Sequence, residues 1–414
     1  MSELISRPKK KNPVLRTRLP TLPPAARSRI ALGLTAAAAL GRFELQQCRE
    51  CGSVQYPPRE ACQRCLSIKL DWKRQPREGE LAASTVLHHS NDLFFRERLP
   101  WRLGLVKLGC GPTVVAHLHA DVPAAPARLR VDVRLDRAGQ AVLVGLPDKE
   151  NVNMAEDRQL REFTCDPKFR KVLVTDGKSG PGQALVKALA AAGAELIWVG
   201  YTEPWKRLPG FDELQKLPQV TLVPLDVTDS KNVRELAAEI GGKVDILVSN
   251  AEHHRGHGIA NRQGVETARA EMDVNYFGLL RLAQEFGPAL RARGADGLAS
   301  AVAWVNLLSI YALANFPPHG TFSASKAAAQ SLAQCLRAEM RPAGVRVINV
   351  FPGPIDDEWN QLLPPPKIAP GALASAIVGA LRDGVEDVYP GDVAQEWLER
   401  WRDNPKALER ELSS

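Results

Sequence analysis

No apolar run in this chain of 414 residues is long enough to cross a bilayer, which excludes a helical membrane span. The apolar stretch at 30–40 is short. It also follows too many prolines and charges to read as a signal sequence. Cysteine is sparse, at seven residues. Four of these sit in paired C-x-x-C units and three are scattered. That pattern argues against a disulfide framework and for a reducing, cytoplasmic setting. Net positive charge is missing from most of the chain. Residues 1–29 hold eight basic side chains against Glu3, which accounts for the whole formal charge of +7. The rest is neutral, so no basic face for nucleic acid is expected. Residues 1–28 read as a Pro-rich, disordered basic tail.

What is present divides into several units, as the length suggests. Residues 29–41 read as a short Ala-rich helix. Within 29–78, Cys48, Cys51, Cys62 and Cys65 form C-x2-C-x10-C-x2-C. Two intervening residues let the chain turn and aim both sulfurs of a pair inward. Four thiolates make a closed tetrahedral site, which suits structural Zn²⁺ rather than catalysis. Free thiols or an iron centre are the alternatives.

Residues 79–147 switch to short strands at 81–87, 103–108, 113–119, 129–135 and 141–146. Five such strands with Gly, Pro and Asp turns fit a small OB-type β-barrel. His117 and His119 share a strand face, and His88 and His89 are adjacent. None has ligand-type neighbours at useful spacing, so a structural role is expected. The polar stretch 148–170 reads as a linker.

Residues 171–392 alternate strand and helix, as an α/β Rossmann-type doubly wound parallel sheet requires. Strands are expected at 171–175, 195–199, 220–225, 244–249, 302–308, 345–351 and 386–389. Helices are expected near 182–193, 229–240, 265–292, 322–342 and 370–383. Residues 393–414 have the apolar spacing of a partner-facing or self-associating helical tail.

The first strand-to-helix turn runs from Thr175 through Asp176, Gly177, Gly180 and Pro181 to Gly182. Glycines there let backbone approach a pyrophosphate at a helix N-terminus. Asp176 opposes that use if its carboxylate faces a phosphate. At ~4 Å the repulsion is on the order of 1–4 kcal/mol. Alternatively Asp176 points away and caps the turn. After the second strand, Tyr201 and Thr202 offer no acid for a ribose diol and no arginine for a 2′-phosphate. NAD and NADP therefore stay open.

Two resemblances follow from these motifs. Residues 29–147 open with Arg42-Phe43-x-Leu45-x-x-Cys48-x-x-Cys51-Gly52 and Tyr56-Pro57-Pro58-Arg59. They resemble the acyl-CoA-associated zinc-ribbon/OB-fold family, with its rubredoxin-like ribbon. The resemblance implies a non-catalytic partner of a thiolase-like enzyme or aldolase acting on acyl-CoA.

Residues 170–392 resemble the short-chain dehydrogenase/reductase family, on several motifs in the right order. These are the 175–182 turn, Asp226-Val227, Asn250-Ala251, Asn275, Ser309, Lys326 and Pro352-Gly353. The resemblance implies catalytic roles for Asn275, Ser309 and Lys326. It implies cofactor contacts from Thr175, Gly177, Gly180, Gly182, Asp226, Val227, Asn250, Ala251, Lys326, Pro352 and Gly353.

Three positions depart from the family: Asp176, Glu252 and Phe322. The last stands where the family has its catalytic tyrosine. General acid–base catalysis is typically worth ~10²–10⁴-fold, so the missing phenol is expected to cripple turnover. Tyr311 or Ser323 is the conceivable substitute hydroxyl, though a neighbour on a helix points about 100° away. His253, His254 and His257 read as loop polarity at the cleft rim. Residues 354–370 fall at the family's substrate lid.

The favoured reading is a non-catalytic or weakly active subunit that docks a thiolase-like or aldolase enzyme. It would self-associate or pair with an active homologue. The alternative is an NAD(P)-dependent oxidoreductase interconverting a 3-hydroxyacyl-CoA and a 3-oxoacyl-CoA.

Overall fold

The structure is a computed structural model and describes residues 20–149, 152–203, 205, 208, 210–261 and 263–413. The basic tail expected over 1–28 lies outside the described residues through residue 19. Among the described residues, no helix is long and apolar enough to cross a membrane.

Helix α1 (Leu32–Ala39) leads into a three-stranded sheet of β1 (Glu44–Cys48), β2 (Val54–Gln55) and β3 (Leu70–Arg74), in the order β2-β1-β3. Five antiparallel-rich strands follow: β4 (Glu78–Leu87), β5 (Trp101–Leu108), β6 (Thr113–Leu118), β7 (Ala127–Leu135) and β8 (Ala141–Pro147). A short helix α2 (Leu93–Arg96) joins β4 to β5. The barrel closes in the order β4-β5-β6-β8-β7. Closure leaves no free sheet edge. Inward residues such as Leu81, Val106, Leu118 and Val131 form its core with Phe43 and Leu45 from the ribbon. His117 accepts a hydrogen bond from Trp101 Nε1 at 2.8 Å, and burial holds its pKa down at about 4. That is the structural role expected of it.

The connector 148–170 is polar in composition, yet it buries Leu160 and Phe163 completely or nearly so. It is pinned to the following unit by Thr164 Oγ1 donating to Arg382 O and by Cys165 N donating to Leu381 O.

The remaining chain builds a seven-stranded parallel sheet. Its elements are β9 (Lys171–Val174), α3 (Gly180–Ala191), β10 (Leu196–Tyr201), α4 (Phe211–Leu214), β11 (Val220–Pro224), α5 (Ser230–Ile240) and β12 (Ile246–Ser249). Then come α6 (Glu266–Met272), α7 (Leu279–Arg293), β13 (Ala303–Leu307), α8 (Gly320–Met340), β14 (Arg346–Val350), α9 (Pro370–Asp383) and β15 (Asp387–Val388). The order is β11-β10-β9-β12-β13-β14-β15. Strand β9 pairs with β10 on one side and β12 on the other, so the winding reverses there. The crevice at the carboxyl ends of such strands is the expected ligand site. Each face of the sheet carries its own apolar core, one around Val172, Leu185 and Ile377, the other around Trp304, Phe286 and Leu336.

Two helical expectations needed revision. The single helix expected over 265–292 is interrupted by a π-type turn at Asp273–Gly278. Such turns widen a helix locally and often mark functional positions. Here the widening seats Asn275 against the chain that leaves β12. The tail is two helices, α10 (Asp392–Asp403) and α11 (Pro405–Leu412), split where the Asn404 side chain accepts from Ala407 N. Also, α8 begins at Gly320, two residues before Phe322.

Candidate functional site

The ribbon brings its four cysteines together. Cys48 Sγ lies 3.5 Å from Cys65 Sγ and Cys51 Sγ lies 3.6 Å from Cys62 Sγ. All four sulfurs fall within 4.8 Å of one another. A tetrahedron with Zn–S bonds of ~2.3 Å has sulfur–sulfur edges of about 3.8 Å. The donor set and spacing therefore fit one Zn²⁺ in a closed, structural site.

The second site is the crevice of the parallel sheet. Its first wall is the turn from Thr175 to Gly182. Glycine is required twice: a Cβ on Gly177 would lie 2.0 Å from Val199 Cγ1, and one on Gly182 would lie 2.0 Å from Asp176 O. Ser179 caps α3 by accepting from Gly182 N. Asp176 points its carboxylate back into the turn, where Oδ1 accepts from Lys178 N at 2.9 Å. Burial pushes its pKa up, against hydrogen bonds from Lys178 and Ser179. The capping alternative is the one realised.

Thr175 and Asn250 lace this turn to the end of β12. Thr175 Oγ1 accepts from Asn250 N and Ala251 N, each at 3.0 Å, and Asn250 Nδ2 donates to Asp176 O at 2.6 Å. Asp226 is similarly engaged, accepting from Thr228 N and Oγ1. Val227 is buried against Gly278. Pro352 O accepts from Ile310 N, and Gly353 lies flush against Val393 at the start of α10.

Asn275 sits where the π-type turn delivers it. Its Nδ2 donates to His253 O at 2.8 Å and to Ser325 Oγ at 2.9 Å, and its Oδ1 accepts from His253 N at 3.0 Å. Ser309 lies two residues beyond β13 and accepts from Tyr311 N at 3.2 Å. Lys326 is 2% exposed. Its Nζ donates to Leu307 O at 3.0 Å and pairs with Glu252 Oε2 at 2.7 Å. The residue that replaces a family glycine thus neutralises the retained lysine.

Phe322 is buried, and the His254 ring stacks on it at 3.7 Å between centroids with planes 13° apart. His254 was expected as rim polarity and is instead 2% exposed. Its partner is His319 Nδ1, which its Nε2 meets at hydrogen-bonding distance. Burial, then the His319 and Lys326 charges, hold its pKa down at about 2, so it stays neutral. Neutrality lets it lie flat on an apolar ring.

Neither candidate replacement hydroxyl is free to reach in. Tyr311 is buried between Phe316, at 5.0 Å, and Trp397 of α10, at 5.5 Å. Ser323 Oγ accepts from Phe316 N. Helix α10 roofs this corner, with Ala394 and Leu398 packed against Ile310, Tyr311 and Phe322. At the rim, burial and the Glu252 charge raise the Asp357 pKa to about 6.

Sequence reasoning marked Glu252 as a departure but missed its pairing with Lys326. It also missed the His254 stack and the Trp397 roof. Each joins residues at least 65 positions apart. The only advance signal was chemical: a carboxylate and a lysine both assigned to one crevice.

The chain matches family models for a short chain dehydrogenase over 170–366, the OB-fold domain of ChsH2 over 72–140 and the rubredoxin-like zinc ribbon domain of ChsH2 over 35–71. It is 33% identical over 191 residues to a mouse dehydrogenase/reductase, SDR family member 7B. That match covers 44% of this chain and 56% of the mouse protein, so the chain spans about half the length of that relative. It is 33% identical over 206 residues to the short-chain dehydrogenase ptmH of Penicillium ochrochloron, covering 47% of this chain and 70% of that one. A crystal structure of a short chain dehydrogenase from Burkholderia cenocepacia, in complex with NADP, superposes with a TM-score of 0.54. It is 35% identical and is covered over 99% of its length by 60% of this chain. With the crevice, the ordered motifs and these matches together, the chain belongs to the short-chain dehydrogenase family, its Rossmann domain joined to a ChsH2-type zinc ribbon and OB-fold.

Proposed function

We propose that this protein is a non-catalytic or weakly active member of its family. In this reading it serves acyl-CoA metabolism by docking a thiolase-like or aldolase enzyme through the zinc-ribbon and OB-fold half. The observation that carries the first part is the Glu252–Lys326 pair beside Phe322. In the family, lysine tunes a tyrosine and holds the nicotinamide ribose. Here the ammonium already has a carboxylate at 2.7 Å and a carbonyl at 3.0 Å, and there is no phenol to tune.

A nicotinamide cofactor supplies a hydride when bound. Thr175, Gly177, Gly180, Gly182, Asp226, Val227, Asn250, Ala251, Lys326, Pro352 and Gly353 are its expected contacts. Of these, Thr175, Asn250 and Lys326 spend polar atoms on the protein itself, Lys326 on the Glu252 carboxylate. Asn275 spends its amide on His253 and Ser325, while Ser309 accepts from Tyr311 N. The docking part rests on the ChsH2-type domains, which imply association with an enzyme of acyl-CoA metabolism.

A second reading keeps the oxidoreductase active on a 3-hydroxyacyl-CoA and 3-oxoacyl-CoA pair. It is favoured by Asn275, Ser309 and Lys326 surviving on their proper elements and by 35% identity to a structure solved with NADP.

Titration of the purified protein with NADH and NADPH, followed by a 3-oxoacyl-CoA reduction assay, separates the two. We expect weak or no cofactor binding and no turnover. Cofactor binding and turnover should both appear in the triple variant Asp176→Gly, Glu252→Gly, Phe322→Tyr. Tight cofactor binding with turnover that falls in Ser309→Ala overturns the non-catalytic reading. Co-purification with a thiolase-like or aldolase partner tests the docking part separately.

A further inference from the structure

Between the ribbon and the last elements of the Rossmann domain lies a cleft of about 580 Å³. It belongs to neither site described above: none of the four ribbon cysteines and none of the expected cofactor contacts lines it. One wall comes from the N-terminal half, the other from α9, β15 and α10. The walls are joined at fixed points. Glu386 N donates to Ala39 O at 2.7 Å, and Arg134 Nη2 donates to Asp383 Oδ1 at 2.9 Å. A ligand would therefore enter a space the fold has already shaped.

Charge is sorted between the walls. The N-terminal wall offers Arg42, Arg74 and Arg77, and no acid. The opposite wall offers Asp383, Asp387 and Glu399 alongside Arg402. Several of these groups already have a partner. Arg77 Nη1 donates to Asp132 at 3.2 Å, Arg42 stands 4.0 Å from Glu44, and Asp387 accepts from Arg337 at 2.7 Å. Local charge is thus close to balanced, and the cleft is no simple anion trap. Its distinction is that the two sets share one space without touching. Among the described residues no ion pair joins Arg42, Arg74 or Arg77 to Asp383, Asp387 or Glu399. The side chains of Arg74 and Glu399 make no hydrogen bond or ion pair there at all.

Between the charges runs an apolar strip. Ala376, Gly379 and Ala380 form one face of α9, and Leu398 adds to it from α10. A Cβ placed on Gly379 would find nothing within 4 Å, which leaves room for a flat ring.

The matching ligand is anionic at one end, rich in hydroxyl or amino donors at the other, and carries a planar apolar group. Guanidinium groups take a phosphate through paired N–H donors. Carboxylates accept from ribose hydroxyls. The volume falls in the ~300–1,000 Å³ range of small-molecule clefts. Inorganic phosphate would use one wall only. We propose that this cleft binds an adenosine phosphate, its phosphates toward Arg42 and Arg74 and its ribose and base toward Glu399 and the α9 strip. Free ADP and coenzyme A both carry that head group. The proposal does not depend on whether the crevice turns over.

The test is isothermal titration calorimetry of the full, zinc-loaded chain with ADP, coenzyme A, adenosine and pyrophosphate. We expect ADP or coenzyme A to bind one site, with adenosine and pyrophosphate weaker by about tenfold or more. Coenzyme A binding more tightly than ADP identifies the thioester carrier as the source, and the reverse order a free nucleotide. Arg42→Gln combined with Arg74→Gln should weaken binding by about 10–100-fold. Gly379→Leu, which fills the strip without touching a charge, should weaken it as well. No heat with either nucleotide, pyrophosphate or adenosine binding as tightly as ADP, or affinity unchanged in either variant overturns the proposal. If a variant does not fold, photolabelling of the unsubstituted protein with 8-azido-ADP decides by itself. Labelled peptides within 370–403 support the cleft, and labels confined to 175–252 overturn it.

Discussion

The ribbon and the crevice are both built from short motifs on tight turns, yet they have fared differently. At the ribbon, all four sulfurs converge at the spacing a tetrahedral ion needs, with the Ser53 hydroxyl beside Cys51 and Cys62. At the crevice, the scaffold is intact while the polar groups have turned inward: Asp176 caps its own turn, Glu252 takes Lys326, and His254 lies on Phe322. A metal knuckle collapses when its donors are misplaced, because the ion supplies most of its folding energy. The Rossmann sheet has two large apolar cores of its own, so its fold does not depend on a ligand in the crevice. The difference shows what each region depends on, and it can be probed in three ways.

The largest effect is expected at the ribbon. Zinc removal by a chelator, or Cys48→Ser with Cys51→Ser, should unfold residues around 43–74, since structural zinc contributes on the order of 10 kcal/mol in small metal modules. Metal analysis together with circular dichroism would read this out. A ribbon that keeps its structure without metal would erase the contrast drawn above.

A smaller effect is expected at the crevice. Glu252→Ala leaves the buried Lys326 ammonium without its carboxylate and should cost about 3–5 kcal/mol. Adding Lys326→Met should recover most of the loss. Denaturant unfolding of both variants measures it, and a loss near zero in the single variant would mean the ion pair is incidental.

The smallest concerns Asp357. Its pKa is raised from 3.8 to about 6 in the folded protein. Well below pH 3.8 the acid is neutral in both states and costs nothing. The penalty grows as pH rises from the unfolded value toward the folded one and is complete above it. Asp357→Asn keeps an acceptor for Trp359 N and Asn360 N. It should therefore stabilise the protein near pH 7 by about 1 kcal/mol, after discounting for partial exposure, and leave it unchanged well below pH 3.8. Equal gains at both pH values would locate the cause elsewhere.

How much of this was readable beforehand depended on sequence distance. The cysteine pairs act over two residues, so their spacing sufficed. The seven parallel strands announced themselves as apolar runs, because a sheet covered on both faces leaves no alternation to confuse. The break at Asp273–Gly278 was not visible, since its cause is the fit of Asn275 to a chain over 20 residues earlier. The burial of His254 was missed because a histidine between another histidine and an arginine carries every mark of a surface loop. Only the fold puts Phe322 beneath it. The same holds for the connector, whose charges concealed that Leu160 and Phe163 are core residues.

One contact among several joins the N-terminal half to the Rossmann half. The backbone bond from Glu386 N to Ala39 O ties the helix before the ribbon to the residue just ahead of the last strand of the Rossmann sheet. A ribbon on a slack tether would offer a captured enzyme to its own crevice in every orientation. With this mounting the knuckle has a fixed bearing. An enzyme seated there would have one line of sight to the Rossmann half, and the choice of landing point would also set what that enzyme faces.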